Sequence, residues 1–420
     1  MGLGRRGPGQ RGPGQRGPGG RLAVAAFIDW SGTGVWLTTS TVLMVKVVHL
    51  APAQVGLGLT AGGVLGLAAV WPVTTATRRL PAGRVAVTLQ LLRGLFFLSF
   101  LLVHSAPAYY LAAALTALAD RPTASVNQVL VGRYVPEKER TAALAAMHVA
   151  VNAGMMTGAL VASAALLLPS RASLDAVVIV NSLSFAGAAW QVRRATAGPP
   201  AAAAAQAAGP RAPGWFSGRF LLVTIGCAVL ALLFPLFNVE IPLWLTTMTP
   251  VPPVTVSVLF MLNTTLVVLF QARLSRRVAG LRAGAAAGVV AGACIVCCCG
   301  LLAALPGLPA WVAAAGFVLA AVLLTLGEMN QGSAAWTLSF GMSPPQDLTR
   351  SLALFNTGQG AAFVLGPALC TSAVAWAGRA GFAILAGLVA AGACCVVIGA
   401  RGAAAAPAPG PAPDPVELAR

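Results

Sequence analysis

Apolar runs long enough to matter recur along almost the whole chain, separated by short turns rich in Arg, Pro or Gly. A helix needs roughly 20 apolar residues to cross the hydrocarbon of a bilayer. Twelve runs approach or exceed that length, with cores at 22–48, 54–75, 85–103, 109–131, 141–168, 174–190, 220–244, 254–271, 284–305, 311–340, 351–376 and 382–398. The sixth and eighth are the shortest. The pattern predicts an all-α membrane protein of twelve transmembrane helices, arranged as two halves of six.

The interruptions divide the chain. Residues 1–20 repeat Arg-Gly-Pro-Gly from Arg6, Arg11 and Arg16 and offer almost nothing to bury, which predicts a disordered basic tail. An Ala/Pro/Gly-rich stretch at 195–218 predicts a linker between halves at 21–194 and 219–401, and 402–420 has the same tail-like character. The halves resemble each other. Arg78, Arg79 and Arg84 after segment 2 match Arg276, Arg277 and Arg282 after segment 8, 198 residues on, and Arg140 opening segment 5 matches Arg350 opening segment 11. Parallel repeats of this kind build transporters whose site lies between the halves.

Composition agrees with the pattern: 58% hydrophobic and 9% charged residues, against roughly 25% charged in an ordinary soluble domain. The formal net charge of +17 would suit nucleic acid, but its distribution does not. With a cytoplasmic amino terminus, 22 of the 27 Lys and Arg fall inside, only Lys46, Arg171 and Arg379 outside, and Arg93 and Arg121 within segments. That is the positive-inside asymmetry, which places both termini in the cytoplasm and the lipid bilayer, not nucleic acid, as the partner. All eight cysteines lie in apolar segments; the run at Cys294, Cys297, Cys298 and Cys299 lacks nearby His or acidic ligands and reads as helix packing rather than a metal site.

Only ten residues are acidic, and Asp29, Asp120, Glu240 and Glu328 lie inside apolar segments. An ionised Asp at the centre of a bilayer helix costs roughly 2.5 to 3.5 kcal/mol on insertion scales, so such residues face a wet cavity, a partner charge or a proton path. Residues three, four and seven apart share a helix side. Asp29, Thr33, Trp36 and Ser40 thus form a polar stripe on segment 1, and Thr116, Asp120, Thr123 and Asn127 one on segment 4. Glu328 heads a shorter stripe with Gln331 and Ser339, whereas Glu240, between Pro235 and Pro242, has mostly apolar neighbours and reads as a residue near the outer mouth. A buried carboxyl that changes affinity for its proton as its surroundings change suits proton coupling, with Asp29 the first choice. Arg93 reads as snorkelling toward the cytoplasm. Trp190, Trp244, Trp311 and Trp376 read as interfacial belt residues, and Trp30, Trp36 and Trp336 as pocket-lining ones. Asn152, Asn263, Asn356 and Gln359 add uncharged hydrogen-bonding groups inside the segments.

Over nearly residues 22–400 the chain resembles the major facilitator superfamily, and within it bacterial proton-driven drug and metabolite exporters. The resemblance rests on Phe27-Ile-Asp-Trp-Ser-Gly-Thr-Gly34, Val55-Gly-Leu-Gly-Leu-Thr60, Pro136-Glu-Lys-Glu-Arg140, Gly327-Glu-Met-Asn-Gln331 and Gly366-Pro367. There are departures. The loop after segment 2 keeps Gly83-Arg84 but has no Asp, and segment 5 has Gly154 and Gly158 followed by Ala159 where exporters carry Pro.

The resemblance implies a central cavity lined by segments 1, 4, 7 and 10, the four that carry the buried acids. It assigns Asp29, Asp120, Arg121 and Glu328 to proton coupling. Thr33, Trp36, Ser40, Asn127, Asn152, Glu240, Asn263, Gln331, Trp336, Asn356 and Gln359 become candidates for contact with substrate. Arg78, Arg79, Gly83, Arg84, Arg140, Arg276, Arg277, Arg282 and Arg350 become candidates for conformational loops. No phosphate-binding Gly-x-x-x-x-Gly-Lys loop exists, the only lysines are Lys46 and Lys138, and no His-Glu-x-x-His or paired-Asp motif occurs. The expected protein is a monomeric secondary transporter without cofactor in a bacterial inner membrane, exporting a small amphipathic molecule against protons. Proton-coupled uptake of a small nutrient, and a non-transporting sensor or scaffold, are the alternatives.

Overall fold

The structure is a computed structural model and describes residues 17–167, 170–200, 217–252, 254–344 and 347–404. Described residues fold into helices and the turns between them. In chain order these are α1 (Pro18–Lys46), α2 (Pro52–Ala76), α3 (Ala82–Phe97, continued by a 3-10 turn at Leu98–Leu102), α4 (Ala106–Tyr134), α5 (Arg140–Leu167) and α6 (Arg171–Ala195). Then follow α7 (Gly218–Met248), α8 (Thr255–Ser275), α9 (Gly280–Ala304), α10 (Ala310–Gly341), α11 (Leu348–Ala377) and α12 (Arg379–Ala404). The expected tails and linker lie mostly outside the described residues, although α1 already begins at Pro18, within the expected 1–20 tail.

Ten of these helices are long and apolar enough to cross a membrane. The other two, α1 and α4, are each 29 residues long and carry the polar stripes of Asp29 and Asp120. Both fall short in composition, not length.

Prolines explain several starts and breaks. Pro18, Pro52 and Pro107 sit in the first turn of α1, α2 and α4, where a missing N–H costs nothing. In α7 the run is not one regular helix: an α-helical stretch Gly218–Leu230 gives way to a π-helical turn at Leu236–Glu240 before α-helix resumes at Ile241–Met248. Pro235 and Pro242 flank the π turn and withhold donors from the regular ladder, which relaxes into wider hydrogen-bonded rings.

The packing partners of the first half recur in the second. α1 packs on α5 and α6, α2 on α4, and α3 on α4 and α6; six helices later α7 packs on α11 and α12, α8 on α10, and α9 on α10 and α12. Close approach is built with small residues. A Cβ on Gly154 of α5 would lie 2.7 Å from the Phe27 carbonyl of α1, so Gly154 allows the backbones to meet. Across the halves, α5 touches α8 and α10, and α11 touches α2 and α4.

Many large apolar side chains are exposed on the outside of the bundle, among them Leu102, Leu160, Trp190, Trp311 and Trp376, as lipid-facing residues must be. Trp244 departs from the expected belt: it is buried against Phe382 and donates its indole N–H to the Leu302 carbonyl at 2.9 Å.

Candidate functional site

The acids expected on α1 and α4 meet over a cation from α3. Arg93 Nη1 lies 2.5 Å from Asp29 Oδ2, and its Nη2 lies 3.0 Å from Asp29 Oδ1 and 2.6 Å from Asp120 Oδ1. Gln90, one turn earlier on α3, donates to Asp29 Oδ2 at 2.9 Å and accepts from Arg93 Nη1 at 2.6 Å. The Thr33 hydroxyl reaches Asp29 Oδ1 at 3.4 Å, and the Phe185 ring of α6 covers the guanidinium at 4.2 Å. Arg93 is 4% exposed, so it does not snorkel. Three helices are therefore tied through one buried cation, whose charge two carboxylates and a ring face jointly compensate.

The triad is asymmetric toward water. The Asp29 side chain is 5% exposed and that of Asp120 is 47% exposed. Asp120 opens onto a cavity of about 160 Å³ whose walls include Thr33, Trp36, Ser40, Thr116, Asn181 and Arg121. Its apolar side is aromatic: Trp36 packs on Phe97 and Phe100 at ring distances of 4.8 and 4.6 Å, and Tyr109 and Phe185 complete it. Of the stripes read from sequence, Thr33, Trp36 and Ser40 on α1 and Thr116 and Asp120 on α4 reach this cavity; Thr123 is buried and Asn127 half-buried elsewhere on α4.

A second polar cluster joins the halves. His148 Nε2 of α5 lies 3.1 Å from Glu328 Oε1 of α10, and Asn263 of α8 donates to Glu328 Oε2 at 2.8 Å and to the Thr325 hydroxyl at 3.0 Å. Asn152 sits beside His148, and the Trp336 ring meets the imidazole edge to face at 5.8 Å. Glu328 thus leaves α10 toward α5 and α8 rather than toward the Asp29 triad.

Farther toward the end that holds the start of α1, Gln128 of α4 donates to the Ser339 hydroxyl of α10 at 2.7 Å and accepts from Asn356 of α11 at 2.6 Å. Arg133 donates to Thr349, and Arg78, on the turn after α2, lies 3.5 Å from Asp347 at the start of α11, with Arg350 at 4.0 Å from the same carboxylate. Leu348, Leu352, Trp336 and Phe340 from the second half pack into the apolar cluster of Leu22, Val129 and Leu130 from the first. This end of the bundle is closed between the halves. The cavity lies beyond that closure and within the first half: α1 to α4 and α6 line it, and among the described residues none of α7 or α10 does, so it is not the cavity of segments 1, 4, 7 and 10 that the resemblance implies.

The acid that the loop after α2 lacks is supplied from across the interface by Asp347, a residue the sequence reading passed over. Of the other loop residues, Arg140 donates to the Gly132 and Val135 carbonyls and lies over the Phe340 ring at 5.6 Å. Gly83 is buried against Thr196, while Arg79, Arg84, Arg276, Arg277 and Arg282 are exposed.

Glu240 is not exposed at a mouth. It is 1% exposed inside the second half, and neither carboxyl oxygen has a hydrogen-bond partner among the described residues. Gln331 points into the same half, donating at 3.4 Å to the Cys227 carbonyl and to Gln359.

Solved structures of similar shape include transporters. The human organic anion transporter MFSD10 (TETRAN) superposes with a TM-score of 0.70 at 14% identity, covering 91% of this chain and 100% of its own. A bacterial homologue of the iron transporter ferroportin, outward-facing with soaked iron, gives 0.69 at 13% identity, covering 92% and 99%. The E. coli fucose:proton symporter gives 0.64 at 12%, covering 92% and 98%. Among curated proteins no sequence match is found. The sequence pattern of one family, described as Major Facilitator Superfamily, matches residues 22–329. A multi-pass fold, a polar cavity walled by helices and that match lead to one assignment: the chain belongs to the Major Facilitator Superfamily and is a secondary transporter, not an enzyme.

Proposed function

We propose that the protein moves a small amphipathic molecule across the bacterial inner membrane by alternating access, as a monomer of twelve spans with both termini cytoplasmic, and that protons drive it. The Arg asymmetry supports the orientation, and each chain encloses its own cavity. The observation that carries the proton reading is the sharing of Arg93 between Asp29 and Asp120. A proton arriving from the cavity meets Asp120 first. Once neutral, Asp120 no longer holds Arg93, so α4 is released from α3 while Asp29 and Gln90 keep the cation on α1. Coupling then amounts to a change in which helices the cation ties together.

Export is the direction that the resemblance to bacterial exporters favours. One observation favours uptake with a proton: Arg93 already occupies both carboxylates, so proton and substrate bind different groups and can travel together.

Reconstituted protein given an imposed pH gradient tests both. Substrate flux should follow the gradient, outward against protons for export or inward with them for uptake, and Asp120→Asn should abolish that dependence. Flux indifferent to the gradient in the wild type would overturn proton coupling and leave facilitated transport.

A further inference from the structure

The relatives of this fold carry an organic anion, are homologous to an iron transporter, or move fucose with a proton, so the substrate class must be read from this cavity's own residues. Four charged side chains line or adjoin the cavity: Asp29, Arg93, Asp120 and Arg121. Both carboxylates are taken up by Arg93. Arg121 has no hydrogen bond or ion pair among the described residues, although it adjoins Asp120 in sequence, because neighbours on a helix point about 100° apart.

Its position is built. A Cβ at Gly66 of α2 would come within 2.6 Å of Arg121 Cγ, and one at Gly63 would lie 3.8 Å from Arg121 Nη2 and 3.4 Å from Val364 of α11. The stem of Arg121 therefore runs along a side-chain-free face of α2, which carries the guanidinium to the cavity rim between the halves. The same cavity carries the aromatic wall of Trp36, Phe97 and Phe100. An intramembrane cation ordinarily finds a partner. Here the fold has spent its acids elsewhere and left a planar five-donor fork facing a ring-lined space.

We propose that the cavity takes an amphipathic organic anion, a small acid with one ring-sized apolar body, whose carboxylate docks on the Arg121 guanidinium while the body lies against Trp36, Phe97 and Phe100. The volume of about 160 Å³ admits a body of about one benzene ring. This reverses the charge expected from the acid-rich stripes alone, which favour a cation or a neutral molecule. The inference rests on the transport reading only for calling the ligand a substrate.

Equilibrium binding to the purified full-length protein, with no gradient present, tests it with three ring-matched probes: phenylacetate, phenylacetamide and benzyltrimethylammonium. Phenylacetate should bind roughly tenfold to a hundredfold more tightly than either, the range of one hydrogen-bonded charge pair. Arg121→Gln should erase the preference and Arg121→Lys retain part of it. Equal or tighter binding of the cation or the amide, or no binding of phenylacetate, would overturn the proposal on the wild type alone, whatever the variants do. A preference left intact in folded Arg121→Gln would overturn it too. Because no gradient enters, a failure of proton-driven flux would remove the coupling reading and leave this result standing.

Discussion

His148 Nε2 stands 3.1 Å from Glu328 Oε1 and so joins the two halves of the bundle at the inner edge of their closed end. Together with the Gln128–Ser339 and Asn356–Gln128 bonds it forms a ladder that must break when the halves part. Each rung stabilises the closed end only to the extent that it is absent in the alternative conformation.

Removing the imidazole should therefore shift the conformational balance. A hydrogen bond to a charged group contributes about 1.5 to 3 kcal/mol, so His148→Ala should raise the population open at that end by roughly tenfold or more. Spin-label distances between the α4–α5 turn and the α10–α11 turn would report it. An unchanged distance distribution would show that the pair is present but not part of the closure.

Asp29 and Asp120 share a cation but differ in what their loss should do. Asp29 is buried with Arg93, and removing one member of a buried pair typically costs about 3 to 5 kcal/mol. Asp29→Asn should sharply lower the thermal midpoint. Asp120, half open to the cavity, should cost far less fold stability while altering coupling. The double replacement Asp29→Leu with Arg93→Leu should recover part of what Asp29→Leu alone loses, because the one charge left, Asp120, is half open to the water of the cavity. Thermal unfolding in detergent of the single and double variants checks all three.

How much of this was legible depends on whether a feature is local. The spacing of Asp29, Thr33, Trp36 and Ser40 put them on one face of α1, and three of the four line the cavity while Asp29 sits just behind it. Arg93 was misread because its role exists only across helices: nothing within α3 announces that two carboxylates from α1 and α4 converge on it. The available signal was a balance of charge, two intramembrane arginines, Arg93 and Arg121, in a half with two intramembrane acids. Glu240 and Trp244 were misplaced for another reason. Both were assigned by depth, late in the segment beside its prolines, whereas the π turn at Leu236–Glu240 inserts an extra residue into the helical repeat and rotates the positions beyond it away from where an uninterrupted helix carries them.

The Arg78–Asp347 pair joins a half-exposed Arg78, 34% exposed, to a buried Asp347, 8% exposed, at 3.5 Å, and Arg350 at 4.0 Å still faces that carboxylate when Arg78 is gone. Arg78→Ala should leave the thermal midpoint nearly unchanged. If the pair acts as a latch, its effect appears in transport rate instead, and the charge swap Arg78→Asp with Asp347→Arg should restore the rate that either single change alters. A swap no better than the single changes would assign the pair to packing alone.

Glu240 offers the opposite expectation, a gain in stability on mutation. Its carboxyl oxygens are buried with no hydrogen-bond partner among the described residues. An unsatisfied buried polar group costs about 1 to 3 kcal/mol, and replacing it with an apolar group of similar shape removes that cost. Glu240→Met keeps the length of the side chain and suits the irregular space beside the π turn. It should raise the thermal midpoint, whereas Glu240→Ala should lower it by leaving a cavity. A group kept at such expense in the protein's interior should also serve some step of the cycle, and stability and function are then expected to move in opposite directions: Glu240→Met more stable, and slower in substrate flux than the wild type. A variant with flux equal to the wild type at higher stability would reduce Glu240 to a tolerated defect of the broken helix.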